Sequence, residues 1–185
     1  MKASRPMWLV LCAATLLFGC TQGGTSSRAG TGTLEVNLTD APIDLSNVQS
    51  VNVTLTGVIV YPAESTNPMH IVMEGTPISL MTHPATFDLL TLTGGATALL
   101  ASGEVPAGTY NRIRLEISDA TLIYKDSTTA PLKIESNKVD VPIRFEVGVD
   151  ATSIVTLDFD AAASVQVNST ASDMFILRPV VTPVH

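Results

Sequence analysis

The stretch Lys138-Val-Asp-Val-Pro-Ile-Arg-Phe-Glu-Val147 alternates between apolar residues and residues that are polar or proline. A period of two is typical of a β-strand that has one face in an apolar core and the other face in water. Pro142 occupies one of the outward positions. Because proline has no N–H to donate to a sheet, we expect this strand to lie at a sheet edge or to carry a bulge.

The same alternation recurs along most of the chain, so strands dominate the predicted fold. Alternating runs cover residues 34–39, 51–56, 112–117 and 155–160. Further strands are predicted at residues 71–80, 87–92, 121–125, 132–135 and 174–181, with Pro, Gly and Asp turns between them. The one helix candidate is 96–102. Many short strands with at most one very short helix predict an all-β fold, an antiparallel β-sandwich of Ig-like or transthyretin-like Greek-key type.

The N-terminus carries an export pattern that ends in Leu16-Leu-Phe-Gly-Cys20. Lys2 and Arg5 precede an apolar run over residues 7–18, and this run is shorter than the roughly 20 residues of a membrane-spanning helix. The final five residues resemble a bacterial lipobox, which predicts cleavage before Cys20 and attachment of lipid to its thiol. A plain secretory signal peptide and a membrane helix are the alternatives.

This interpretation divides the chain into three parts. Residues 1–19 are the lipoprotein signal peptide, residues 20–32 a flexible Gly/Ser/Thr tether, and residues 33–183 a single β-sandwich domain. Cys12 leaves with the signal peptide, so the mature chain has no disulfide and depends on its apolar core. By resemblance to lipoprotein sorting, Thr21 after the lipidated cysteine favours the outer membrane if the cell is Gram-negative.

The charge balance is acidic. The whole chain has a formal net charge of −7, from 17 acidic and 10 basic residues. Without Lys2 and Arg5 the mature chain keeps 8 basic residues and a net charge of −9. An acidic domain of this kind is predicted not to bind nucleic acid, because that binding needs basic patches against phosphates. The acidic surface is expected to favour solubility.

Three motifs resemble a known family. They are Gly32-Thr-Leu-Glu-Val-Asn-Leu-Thr-Asp-Ala-Pro42, Val105-Pro-Ala-Gly-Thr-Tyr-Asn-Arg-Ile-Arg-Leu115 and Val155-Thr-Leu-Asp-Phe-Asp-Ala161. In content, order and spacing they are similar to the bacterial and archaeal domain of unknown function numbered 4382, found in exported lipoproteins. The resemblance implies an exported β-sandwich and brings no catalytic or ligand-binding residues with it. The run from Pro106 to Tyr110 also resembles a structural turn of transthyretin-like sandwiches.

No catalytic motif is evident in the sequence. The mature chain has three histidines, His70, His83 and His185, and none has the spacing of a Ser-His-Asp site or of a zinc site. The chain contains no Gly-x-Ser-x-Gly motif. Its only tryptophan, Trp8, lies in the signal peptide, which disfavours the aromatic platforms of carbohydrate-binding domains.

Calcium is the ion that the acidic residues favour, because hard cations bind carboxylate oxygens in loops. The candidate ligands come in two groups along the chain, namely Asp40 with Asp44, and Asp150 with Asp158 and Asp160. Alternation places Asp158 and Asp160 on one face of a strand. The alternative interpretation is a solvated face together with acids that cap turns.

The sequence therefore predicts a non-enzymatic cell-envelope protein, held to a membrane by lipid on Cys20, with a binding or structural role. A protein partner at the cell surface would meet a sheet face or the edge near Pro142. One alternative is a calcium-dependent adhesion or spacer module. Another is a hydrolase that uses two facing carboxylates, such as Asp40 and Asp158. No cofactor other than calcium is expected.

Overall fold

The computed structural model describes residues 30–40, 47–63, 76–168 and 174–184. Its strands are β1 Thr31–Thr39, β2 Val48–Pro62, β3 Ile78–Ser79, β4 Ala85–Asp88, β5 Ala98–Pro106, β6 Gly108–Tyr124, β7 Thr129–Ile134, β8 Lys138–Val147, β9 Thr152–Phe159, β10 Val165–Asn168, β11 Met174–Leu177 and β12 Val181–Pro183. The helices are a 3-10 turn at Leu89–Leu92 and the one-turn α1 at Ala161–Ser164. Within these ranges no helix has the length and apolar character to cross a membrane.

The strands form two sheets that enclose one apolar core. The four-stranded sheet has the order β12-β9-β1-β5. The eight-stranded sheet has the order β10-β11-β7-β6-β2-β3, with β4 added on β2 and β8 on β6. These strands and one very short helix confirm the predicted all-β sandwich. Both sheets are mixed rather than purely antiparallel, because β1 runs parallel to β9 and β11 runs parallel to β7.

The long pair β2–β6 forms the middle of the eight-stranded sheet. The two strands are antiparallel and stay paired from Val48–Tyr124 to Pro62–Tyr110. On β6 the inward residues Ile113, Leu115 and Ile117 are buried, as the alternation predicts. The residues between them therefore project from the outer face of the sheet.

Several predicted elements differ from the structure, each for a local reason. The predicted helix at 96–102 is wrong, because residues 98–102 belong to β5, where a register shift leaves Leu100 and Ala101 buried side by side and breaks the alternation. The predicted strand at 121–125 is the end of β6. The strand predicted at 87–92 ends at Asp88, whose carboxylate accepts the Leu90 N–H and begins the 3-10 turn.

Two further predicted strands differ from the structure, one near the C-terminus and one in the first half of the chain. The predicted strand at 174–181 is two strands, β11 and β12, which lie in different sheets. They separate where the Arg178 N–H donates to the Ser164 carbonyl and Pro179 follows. Of the strand predicted at 71–80, the structure describes β3, while residues 71–75 lie outside the described part. The sequence pattern missed α1 and β10.

The prediction for Pro142 is confirmed. Among the described residues β8 pairs with β6 alone, so it is an edge strand. Pro142 lies opposite Arg112, directly beside a register shift between Arg112 and Tyr110. An edge position and a bulge both let a sheet accommodate a residue without an N–H.

The start of β1 is fixed between two turns at one end of the sandwich. The Ala107 N–H donates to the Gly30 carbonyl at 2.7 Å, and the Asp150 N–H donates to the Thr31 carbonyl at 2.9 Å. A Cβ on Gly32 would lie 2.2 Å from the Gly148 carbonyl oxygen, so only glycine permits this approach. The chain therefore enters the domain at a defined point, two residues before the predicted domain boundary.

The Pro106–Tyr110 turn is structural, as predicted. The buried Tyr110 donates its hydroxyl to the Pro106 carbonyl at 2.7 Å, and its ring stacks on Phe145 with centroids 5.2 Å apart. Burial raises the pKa of the Tyr110 hydroxyl. Gly108 has a φ of 152°, a conformation that favours glycine. This turn and β1 lie at the same end of the domain.

Candidate functional site

The outer face of the eight-stranded sheet carries a group of stacked and ion-paired side chains. We call Tyr61, Arg112, Arg114 and Asp140 the Tyr–Arg cluster. Tyr61 on β2 pairs in register with Arg112 on β6, and Arg114 pairs with Asp140 on β8. Because Arg112 and Arg114 alternate with the buried Ile113, the core pattern itself places both guanidinium groups outside.

The cluster combines one close ion pair with two cation–π contacts. Arg114 donates from Nε and Nη2 to the two carboxylate oxygens of Asp140, at 2.8 and 2.9 Å. The guanidinium carbon of Arg112 lies 3.8 Å from the centroid of the Tyr61 ring, and that of Arg114 lies 5.3 Å from it. A planar guanidinium group suits both a two-pronged carboxylate contact and stacking on a ring.

Arg112 is less fully engaged than Arg114. Its Nε lies 3.7 Å from Asp140 Oδ1, which is an ion-pair distance and too long for a hydrogen bond. This Nε is shielded from solvent and has no hydrogen-bond partner among the described residues. The side chain as a whole stays 39% exposed. Arg112 is therefore held by the Tyr61 ring while its charge remains open to a ligand.

The electrostatics of the cluster follow from the Arg114–Asp140 pair. The hydrogen bonds from Arg114 lower the pKa of the Asp140 carboxyl, and the charges of Arg114, Arg112 and Lys138 lower it further. The same pair raises the pKa of the Arg114 guanidinium. Both groups thus keep their charges over the whole neutral range.

Two further basic residues lie on the same face. Lys138, in register with Glu116, places its Nζ 3.6 Å from a Glu116 carboxylate oxygen. Arg144 is exposed on β8, two residues from Pro142 and on the same face. The structure gives Arg144 no ion pair within the described residues. The Tyr–Arg cluster, Lys138, Glu116 and Arg144 together form what we call the basic face.

The predicted calcium ligands occupy two ends of the domain. Asp40 is 4% exposed, and its Oδ1 accepts the Ala161 N–H at 2.9 Å. Asp160 caps α1 by accepting the Ala163 N–H at 2.8 Å, and Asp158 lies beside Thr39 on β9. Asp150, with a φ of 53°, lies in the turn that precedes β9. Asp44 lies outside the described residues.

Asp40, Asp158 and Asp160 are thus close in the fold, while Asp150 is remote from them. In the described part of the chain, no three histidine, cysteine, aspartate or glutamate side chains are grouped so that they could hold a metal ion. Of the two acids that the hydrolase hypothesis pairs, Asp40 directly follows β1 and Asp158 lies in the neighbouring strand β9. One oxygen of Asp40 serves the fold by holding the start of α1.

His83 is the one predicted histidine that the structure describes. It lines a shallow cavity of about 210 Å³ between β5 and the segment after β3, and its Nδ1 lies 2.9 Å from the Thr82 hydroxyl. His70 and His185 lie outside the described residues, as does Cys20, the predicted lipidation site. The lipobox and its lipid remain predictions.

Sequence reasoning identified Arg112, Arg114 and Asp140 as outward residues and missed the site that they form. The signal was present in the mature chain's few basic residues, since Arg112, Arg114, Lys138 and Arg144 fall in two alternating runs. Only the pairing of β2, β6 and β8 brings them onto one surface.

The comparisons with known proteins give one match. The sequence profile of a family described as Domain of unknown function (DUF4382) matches residues 31–179. No curated protein matches the chain. No solved structure matches it either. The matched range runs from the first residue of β1 to the segment between β11 and β12.

We expect Asp40→Ala to destabilise the domain by about 1–3 kcal/mol, because it leaves the buried Ala161 N–H without this acceptor. Asp160→Ala is the matched control, since it removes a more exposed cap and is expected to cost about 1 kcal/mol. Urea unfolding of both variants, followed by circular dichroism, measures the difference. An Asp40→Ala variant as stable as the wild type would show that this contact does not support the fold.

The lowered pKa of Asp140 predicts a pH-dependent contribution to stability. The ionised carboxylate stabilises the fold above the ordinary aspartate pKa of about 3.9, and the stabilisation is lost as the pH falls through the lower pKa of the folded state. Asp140→Asn is therefore expected to cost less than about 1 kcal/mol at pH 7, since the pair is partly exposed.

The difference in the free energy of unfolding between Asp140→Asn and the wild type should shrink in acid. The carboxyl of the wild type is then protonated and carries no charge, like the amide of the variant. Denaturant unfolding at neutral and acidic pH measures it. Glu104→Gln, an exposed change on β5 that also removes one negative charge, is the control for the general effect of that charge. A destabilisation by Asp140→Asn that stays constant into acid would contradict the assigned ion pair.

Proposed function

The chain belongs to the family of the domain of unknown function DUF4382, and we propose that it is a non-enzymatic cell-envelope protein, anchored by lipid on Cys20, that displays a binding surface. The observation that carries the proposal is the run Leu16–Cys20, which joins an export signal to a cysteine just before a polar tether. Several acyl chains on one cysteine would give stable membrane anchoring.

The entry point of the chain supports this arrangement. Nine residues lie between Cys20 and Gly30, and the ten Cα–Cα steps from one to the other span at most about 36 Å. Gly30 and Thr31 are hydrogen-bonded to the turns that contain Ala107 and Asp150. Under the proposal, the end of the sandwich with these turns faces the membrane, and the outer faces of both sheets stand upright, open to the surroundings.

The binding role is supported by the contrast between the sheet edge and the sheet face. The β8 edge offers a poor template for an added strand, because Pro142 has no N–H and the Ser153 hydroxyl already donates to the Glu146 carbonyl at 3.0 Å. The face beside it carries charged side chains held in place by stacking and ion pairs. A rigid face of this kind binds without losing much side-chain entropy.

A non-enzymatic role is the simpler account of the acidic residues near α1. A carboxylate that acts as a general acid or base needs an accessible oxygen of shifted pKa in a cleft. Asp40 is nearly fully buried, and its Oδ1 holds the Ala161 N–H. This residue supports the junction of β9 and α1.

Replacement of Cys20 tests the anchoring. Cells that express the wild-type chain and grow with an alkyne analogue of palmitate should yield a labelled protein in the membrane fraction. Cys20→Ala should abolish the label and leave an uncleaved or soluble form, because the thiol is the site of acylation. Cys12→Ala is the control and should be labelled like the wild type. Label that persists in Cys20→Ala would contradict the proposal.

A further inference from the structure

Basic residues are few in this chain, and most of those that the structure describes lie in one place. The described ranges contain seven lysines and arginines, and four of them lie on the basic face, at Arg112, Arg114, Lys138 and Arg144. The remaining three are spread over the far turn of β6, β7 and the segment after β11. In a chain of net charge −7, this face therefore holds most of the basic side chains that the structure describes.

The charges of the basic face fall into satisfied and open groups. Arg114 gives two hydrogen bonds to Asp140, and Lys138 is paired with Glu116, so these four groups offset one another. Arg112 and Arg144 remain. Arg112 touches Asp140 only at 3.7 Å, and no ion pair holds Arg144 within the described ranges. These two guanidinium groups are the available binding groups.

Register places the two open arginines on adjacent strands. Arg112 lies opposite Pro142, and Arg144 is the next outward residue of β8. Diagonal neighbours on a sheet face have Cα atoms roughly 7–8 Å apart. Tyr61 supports Arg112 from the other side, so the ring holds the guanidinium plane before any ligand arrives.

We propose that the basic face binds an anionic polysaccharide through carboxylates that contact Arg112 and Arg144. A guanidinium group matches a carboxylate with two parallel hydrogen bonds. The spacing of the two arginines suits charges that repeat along a polymer. Tyr61 is covered by Arg112, so recognition depends on charge and not on the stacking of a neutral sugar.

A polysaccharide fits this surface better than an acidic polypeptide. A peptide that adds to the β8 edge meets Pro142 and the occupied Glu146 carbonyl. Protein partners usually anchor an aromatic or aliphatic side chain in a pocket, and the outward positions of β6 and β8 around Arg112 and Arg144 are polar or charged apart from Pro142. An extended polyanion needs only exposed, fixed cations. The location of such a ligand in the envelope rests on the proposed function.

The test uses the full chain, purified in detergent, and immobilised polygalacturonate at about 50 mM salt, where surface charges are weakly screened. The wild type should bind, and the double variant Arg112→Gln/Arg144→Gln should bind about tenfold more weakly, since two charge-assisted contacts are lost. Lys125→Gln/Lys133→Gln is the matched control. It removes the same charge elsewhere and should bind like the wild type.

Three outcomes of this experiment would overturn the proposal. Equal loss in the control pair would show that binding follows net charge. No binding by the wild type would remove the polysaccharide, and displacement of polygalacturonate by an equal concentration of poly-glutamate would make the site one for acidic polypeptides. The single variant Arg144→Gln changes an exposed side chain, so its reduced binding would count even if the double variant misfolds. A negative result in this binding experiment does not change the result of the Cys20 labelling experiment, which tests the anchoring separately.

Discussion

The antiparallel pairing of β2 with β6 is the constraint on which the rest of the molecule depends. β6 is seventeen residues long and gives its other edge to β7 at one end and to β8 at the other. A slip of one residue in this pair would exchange the buried Ile113 for Arg112. Because the cost of burying an unpaired charge is large, the core that selects the register also fixes the outer positions of the basic face.

The outward residues of β8 have two effects, one on the edge of the sheet and one on its outer face. Along this strand the inward residues pack on the core, while the outward ones are charged apart from Pro142. Charges and proline on an edge strand oppose the addition of another strand, which protects the domain from aggregation. The same outward charges pair with those of β6 and are thereby held in place on the sheet face.

Much of the fold could be predicted from the sequence, because a period of two reports which face of a strand is buried. The prediction failed where two neighbouring residues are both buried, as at Leu100 and Ala101, and where a side chain ends a strand, as at Asp88. Pairing over long distances was also beyond the pattern. The contact between Asp40 and Ala161 joins positions 121 residues apart, and neither local sequence predicts it.

The net charge of the chain and the local arrangement of its charges point to different classes of ligand. Duplex DNA carries a charge about every 1.7 Å along its axis, and neutralising it takes a dense row of cations. The basic face interleaves Glu116 and Asp140 with its four basic residues, so its open charges are sparse. Sparse cations on a rigid sheet match a polymer with one carboxylate per sugar. Under the proposed polysaccharide binding, the overall acidity limits non-specific binding, and the local arrangement supplies the selectivity.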